Sequence, residues 1–249
     1  MISKDYLRKI SRQTDLHLYQ QEKDYLLKLF LYFYYRRYDD VVFKGGTCIK
    51  YVFGLNRFSE DLDFELRTTP EKFGKQIERV FEDLKSVGLN NHYLKKEKFE
   101  DALTAEVAFQ GPRYNGTKQS RNKFRIDAGK RLGLVKEPKW KFIKSEYPET
   151  TDAFSVYIMD PVEILAEKVI SLFDRSKGKD LYDVWFMINN DYEPDFDLIK
   201  EKYDGVISWS KIPGKKRYEE DLKRLTSKLI PYSQVEKEVK SVLEPLLDG

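Results

Sequence analysis

The stretch from Val41 to Phe64, VVFKGGTCIKYVFGLNRFSEDLDF, gathers the residue types that phosphate chemistry needs. Side chains alternate along a strand, so Asp61, Asp63 and Glu65 fall on one face and Leu62, Phe64 and Leu66 on the other. An aspartate pair offers only oxygen donors, which suit Mg²⁺ and its bridges to phosphate oxygens. Upstream, Gly45-Gly46 ends a short strand and opens a helix, with Thr47 placed to cap it. The first N–H groups of a helix carry partial positive charge and attract phosphate, and glycine lets that phosphate approach closely. Ser59 shares the face of the two aspartates. An exposed acidic strand face would carry the same D-x-D pair; the glycine turn at a fixed distance before it favours a site.

Three further groups could join this chemistry. Asp127 lies on the strand pattern KFRIDA, in line with Lys123 and Arg125. A third carboxylate there could complete a metal site or help deprotonate an attacking hydroxyl; equally, it could be a strand-face aspartate paired with its neighbouring arginine. In EILAEKVISLFDRSKGKDLYDVWFM, Lys168 interrupts the apolar side of a helix, where its point charge could reach a triphosphate. Asp180 and Asp183 are three apart and share one face of the next helix, as a cap and a surface ion pair also would.

The elements that would position these groups are readable from periodicity and punctuation. Residues 1 to 37 are expected to be helical, with Asp24 to Arg36 apolar nearly all round and therefore buried. Strands are expected at Val41–Phe43, Asp61–Leu66, Thr104–Phe109, Lys123–Ala128 and Phe154–Met159. Between them, Thr69-Pro70 opens a helix that Gly88 closes. After Asp160 only helices are expected: one capped by Asp160-Pro161 with Glu163 in a capping box, one near 180–188, and others near 195–204, 217–229 and 233–246. The sequence thus reads as an α+β half, residues 1–150, followed by a helical half, residues 151–249.

Composition narrows the function further. The chain of 249 residues is 41% hydrophobic and 35% charged, as globular proteins are. Its longest apolar run, Tyr25 to Tyr35, contains Lys28 and is too short to span a bilayer. No basic-then-apolar signal pattern opens the chain, so a cytoplasmic location is expected. The single cysteine, Cys48, and only two histidines, His17 and His92, argue against a cysteine or histidine zinc site and against a Ser-His-Asp hydrolase. The net charge of +3 is unevenly spread: Arg113 to Lys144 holds eleven Lys or Arg against two acids. Such a run suits a polyanion or a solvated loop equally, and Tyr114 and Trp140 within it could stack on unpaired bases.

GGTCIKYVFGLNRFSEDLDF resembles the glycine-to-D-x-D signature of the AbiEii/AbiGii-type toxins, a branch of the DNA polymerase β-like nucleotidyltransferases. AEKVISLFDRSKGKDLYDVW resembles the later A-E-K and (R/K)-D-x-x-D motif of that family, and the two occur in the same order. The resemblance implies a polymerase β-like mixed sheet followed by a helical bundle. It implies that Gly45, Gly46, Thr47 and Ser59 serve the nucleotide, that Asp61, Asp63 and Asp127 bind Mg²⁺ or Mn²⁺, that Lys168 contacts the triphosphate, and that Asp180 or Asp183 completes the site. Lys179 replaces the commoner arginine before Asp180, keeping charge but losing fork geometry. It further implies a toxin of a toxin–antitoxin or phage-defence system that transfers a nucleoside monophosphate from an NTP to RNA, often tRNA, with a cognate antitoxin as a possible partner. The strand half would then bring the metals and the helical half the charge for the triphosphate. A kinase-like phosphotransferase on the same site and a non-catalytic nucleotide-binding module are the alternatives.

Overall fold

The computed structural model describes residues 1–130 and 132–246. Arg131, within the basic run, and residues 247–249, at the end of the helical half, lie outside the described residues. Among those described, the chain forms an α+β fold with one seven-stranded mixed sheet and a helical C-terminal region. It divides into two compact units. The first comprises Met1–Val52, Glu60–Gly133 and Pro138–Ile158; the second comprises Phe53–Ser59, Leu134–Glu137 and Met159–Gly249.

In the first unit, helices α1 (Lys4–Thr14) and α2 (Leu18–Tyr35) lead into β1 (Val41–Lys44). A helical segment follows at once, α3 (Gly45–Cys48), continued as a π-helical turn over Ile49–Phe53. Then come β2 (Leu62–Leu66), α4 (Pro70–Ser86), β3 (Asn90–Lys98), β4 (Ala102–Gln110), β5 (Asn122–Gly129), β6 (Lys139–Lys144) and β7 (Ala153–Ile158). The sheet order is β3-β4-β5-β2-β1-β7-β6. The central strands β1 and β2 are antiparallel, β2 runs parallel to β5, and β1 runs parallel to β7.

Alternation decides what each face of this sheet does. Leu62, Phe64 and Leu66 of β2, with Phe124 and Ile126 of β5, are buried. Phe30 of α2 packs on Phe64 and Phe124, with ring centroids 6.5 and 5.9 Å apart. Phe109 stacks on Phe124 at 5.0 Å. The acidic positions of β2 are left on the opposite face. α4 starts as expected, with Thr69 accepting from the Lys72 N–H and Pro70 in the first turn.

Two strands escape sequence patterning, β3 and β6. Both are edge strands, and both are rich in lysine, which discourages edge-to-edge pairing; Ile143 is the one fully buried side chain of the two, so no buried apolar face marks them. The buried start of α2 also departs from an all-apolar helix: Gln21, Glu22, Lys23, Asp24 and Lys28 are all buried. They are satisfied locally. Glu22 accepts from the Arg113 N–H at 2.7 Å and from Asn122 at 3.0 Å. Asp24 meets Lys50 at 2.8 Å and the Tyr147 hydroxyl at 3.0 Å. Burial raises the Asp24 carboxyl, but Lys50 and Lys28 outweigh it and hold the group far below the usual carboxylate range.

The second unit is built on α5 (Pro161–Arg175) and α6 (Gly178–Ile188), followed by α7 (Phe196–Lys202), α8 (Lys215–Leu222) and α9 (Tyr232–Leu243). Asp160 caps α5 through the Val162 N–H at 2.9 Å. The expected capping box is not formed. Glu163 instead turns to the segment Leu134–Glu137 and accepts from the backbone N–H groups of Val135 and Lys136, each at 2.9 Å. Its carboxylate also pairs with Lys202 of α7. A buried acid takes the partners that satisfy it best, and two fixed amides plus an ammonium surpass one cap.

α6 begins at Gly178 because nothing larger fits. A Cβ there would lie 2.6 Å from Tyr218 Cα and 3.1 Å from the Tyr218 carbonyl oxygen on α8. Asp221 of α8 accepts the Gly178 N–H at 2.7 Å. Gly178→Ala therefore overpacks rigid backbone. It should destabilise the protein by about 1–3 kcal/mol, read as a lower urea midpoint at unchanged m-value.

Candidate active site

The turn that joins β1 to α3 is where the first group of residues converges. Gly45 has φ of +77°, in the left-handed region that glycine adopts without strain. A second constraint acts on the same atom. A Cβ at residue 45 would run into the Asp63 side chain, with Cγ at 2.9 Å and Cβ at 3.0 Å. The Asp63 carboxylate thus lies directly against the glycine turn, as β-pairing of Lys44 with Asp63 requires.

Thr47 does not cap this helix. Lys44 is the N-cap residue, and the Thr47 hydroxyl, fully buried, donates to the Asp61 carbonyl oxygen. Threonine therefore ties the helix to the backbone just before β2. Asp61 immediately precedes β2 and Asp63 is its second residue; both are half-buried. Glu65, the third acid of the alternation, is 1% exposed and bound to Lys44 at 2.7 Å. Cys48 is buried beneath this site; burial, reinforced by the nearby Asp63 charge, pushes its thiol well up and keeps it protonated.

Asp127 enters from the neighbouring strand. The parallel register of β2 and β5 sets Asp63 beside Asp127, and β4 sets Thr104 beside Asp127 in turn. Asp63 and Asp127 thus share a sheet face on adjacent strands. Asp127 also pairs with Arg125 at 2.8 Å, as a strand-face aspartate beside an arginine would. Asp61, Asp63 and Asp127 supply oxygen donors only, and the missing Cβ of Gly45 leaves room for the Asp63 carboxylate. That donor set fits a hard divalent ion held by carboxylates and phosphate oxygens. Among the described residues, no three of His, Cys, Asp and Glu close into a metal-holding group by themselves.

The second unit holds the other predicted residues together. Lys168 of α5 is buried, with Nζ 2.7 Å from an Asp183 oxygen and 3.3 Å from an Asp180 oxygen. Asp180 and Asp183 of α6 are both fully buried. Arg57 grips Asp183 with both arms of its fork, Nε to Oδ1 and Nη2 to Oδ2, each at 2.6 Å. Arg175 reaches Asp180 at 3.1 Å. Burial raises the Asp183 carboxyl, but Arg57 and then Lys168 overcome it, so the group stays below its ordinary range. Burial lowers the Lys168 ammonium, but Asp183 and Asp180 reverse this and leave it raised. Three cations thus face two carboxylates. Lys179, half-buried beside Lys168, is pushed down by burial and by that neighbour's charge. Ser59 lies in the Phe53–Ser59 segment of this unit, ahead of β2.

Arg57 is the residue that sequence reasoning passes over. It sits inside the quoted glycine-to-D-x-D stretch, but its partner Asp183 is 126 residues away. No local spacing links them.

Comparison with known proteins bears on the fold and the family. No curated protein matches the chain. Among solved structures it is similar to MenT4, a nucleotidyltransferase toxin from Mycobacterium tuberculosis H37Rv, with a TM-score of 0.69 and 17% identity, covering 100% of this chain and 91% of that one. It is also similar to JHP933 from Helicobacter pylori, with a TM-score of 0.59 and 19% identity, over 92% of each chain. A nucleotidyltransferase described as putative, also from H. pylori, gives 0.58 and 18% over 91% of this chain and 93% of that one. Identities this low speak for the fold alone. The family model of the nucleotidyl transferase AbiEii toxin, type IV toxin–antitoxin system, matches residues 36–247. On that match the chain belongs to the AbiEii nucleotidyltransferase toxin family.

Proposed function

We propose that this toxin-family nucleotidyltransferase moves a nucleoside monophosphate from an NTP to a hydroxyl of RNA, with tRNA as the acceptor and Mg²⁺ or Mn²⁺ as the cofactor. The observation that carries the reading is the Asp63 carboxylate, seated against Gly45 and in register with Asp127. Asp61 and Asp63 would hold the ion, which when bound would neutralise phosphate charge and polarise the α-phosphate. The Gly45-Gly46-Thr47 turn would receive phosphate oxygens on its backbone N–H groups. An acceptor hydroxyl oxygen then attacks the α-phosphorus, the bond to the β-phosphate oxygen breaks, and pyrophosphate leaves. Asp127 would take the acceptor proton. Lys168, one of three cations with Arg57 and Arg175 against the Asp180 and Asp183 carboxylates, would supply charge suited to a triphosphate. Ser59 would assist nucleotide binding, and a cognate antitoxin would hold the activity in check. No described helix is long and apolar enough to cross a membrane.

The reading is tested by incubating the purified protein with each of the four α-phosphate-labelled NTPs and total tRNA. Label should enter RNA from at least one of them and require a divalent ion; no labelled RNA from any of the four would contradict it. A second expectation concerns the turn. Gly45→Ala adds left-handed strain of about 1–2 kcal/mol and pushes Asp63 aside. Transfer should fall roughly a hundredfold, measured as initial rate at saturating NTP.

A further inference from the structure

The face of the sheet that carries Asp63 continues, strand by strand, to an exposed aromatic edge. β6 is the edge strand, and its sequence KWKFIK alternates lysines with rings. Trp140 is 50% exposed and Phe142 72% exposed. Pairing of Trp140 with Tyr157 and of Phe142 with Ser155 puts both rings on the face opposite buried Val156 and Ile158. Because Phe43 pairs with Ile158 and with Phe64, that is the face of Asp63 and Glu65.

The Trp140 ring is fixed rather than loose. It lies 5.0 Å from the Tyr157 ring and meets Tyr35 edge-on at 6.2 Å. The Tyr35 hydroxyl donates to the Val41 and Tyr157 carbonyl oxygens, each at 3.2 Å. Arg67, two residues beyond Glu65 and exposed, places its guanidinium 5.5 Å from the Tyr157 ring and donates to its hydroxyl at 3.0 Å. Lys144 shares the face of the rings, whereas Lys139 and Lys141, paired with Ile158 and Val156, point to the other; all three lysines are exposed. Large exposed aromatics on an edge strand are unfavourable unless something covers them. Here the covering partner must be anionic and must offer flat apolar faces.

We propose that Trp140 and Phe142, with Tyr157 and Arg67 behind them, form a stacking strip for unpaired bases of the RNA acceptor. The proposal rests on the reading that the acceptor is RNA and adds where its single-stranded segment lies. Residues two apart on a strand are about 7 Å apart, twice the 3.4 Å spacing of neighbouring stacked bases. Two platforms so spaced take splayed bases of a single strand, not the closed stack of a duplex. Three strand spacings of about 4.8 Å separate β6 from β2, or roughly 14 Å. A strand held on these rings therefore has its end within a few nucleotides of Asp63. Lys144 and Arg67, on the same face, supply the phosphate contacts.

The test is fluorescence anisotropy of full-length protein with fluorescein-labelled oligo(A), alone and annealed to oligo(U). Trp140→Ala and Phe142→Ala should each weaken single-strand binding roughly tenfold, and the double variant about a hundredfold. Trp140→Phe should restore most of the loss, and the duplex should be affected far less. Phe142 is mostly exposed, so its removal leaves the core intact, and thermal melting of each variant checks the fold. Unchanged oligo(A) affinity in both single variants, or equal losses for strand and duplex, would overturn the proposal. So would normal RNA binding with loss of a co-expressed antitoxin, which would make the strip a protein-docking face. Because binding is read without chemistry, the two readings fail separately. Absence of any labelled product with Trp140-dependent binding intact removes only the transfer reading; normal transfer with no effect of either ring removes only the strip.

Discussion

Replacing Asp63 by asparagine is expected to leave the fold standing and to cut nucleotide transfer by about a thousandfold. Asparagine has nearly the same shape as aspartate, so it still fits against Gly45, where the Asp63 Cγ is only 2.9 Å from the position a Cβ would take. What it loses is the negative oxygen that would bind the divalent ion. The β2–β5 pairing of Leu62 with Ile126 and Phe64 with Ala128 is backbone-borne and survives the change. Asp61→Ala should produce a loss of the same order. The check is the initial rate of label incorporation into RNA, with circular dichroism to confirm the fold; a natively folded Asp63→Asn variant with undiminished transfer would sink the site assignment.

The second large effect is on stability. Asp183→Asn should cost about 3–5 kcal/mol, because it strands a buried arginine and weakens the hold on a buried lysine. Arg57 makes both of its fork contacts to this one carboxylate, and Lys168 approaches it at 2.7 Å. For a chain of this size the melting temperature should fall by roughly 10 °C. Arg57→Met should be similarly damaging, and the double variant should lose less than the sum of the two. The pH dependence has a fixed sign. The Asp183 carboxyl is held below its unfolded value, so the unfolded chain binds the proton first as pH falls. Its contribution is fully present above the unfolded value of about 4 and is lost as pH drops through the lower folded value. Scanning melting temperature against pH should therefore show a shallower acid decline in Asp183→Asn than in the native protein. Equal stability of variant and native protein would contradict the account of this cluster.

How much of this was legible in the sequence depends on the range of each interaction. The central strands show through because their alternation is local: Leu62, Phe64 and Leu66 face the core, and Asp63 and Glu65 are turned away from it. Gly45 is legible as a turn glycine, but its second constraint, the Asp63 carboxylate at its α-carbon, exists only once β1 and β2 pair. Thr47 reads as a cap, since hydroxyls commonly cap; it instead holds the Asp61 carbonyl, a tertiary contact that no helix rule contains. Glu163 deceives in the same way, with the Val135 and Lys136 amides replacing the expected cap. The edge strands β3 and β6 bury almost none of their side chains, so no apolar face signals them. Asp180 and Asp183 show their shared helical face and Lys168 its break in an apolar one, whereas Arg57, which binds Asp183 from 126 residues away, gives no periodic signal.

Transfer of a nucleotide to RNA through Asp61 and Asp63 has a direct readout. The most direct measurement supplies native protein and Asp61→Ala with total tRNA and the active NTP, labelled in parallel on its α- or its γ-phosphate. Label should enter RNA from the α-position only, with native protein only. Label arriving from the γ-phosphate, or α-label undiminished in Asp61→Ala, would contradict it.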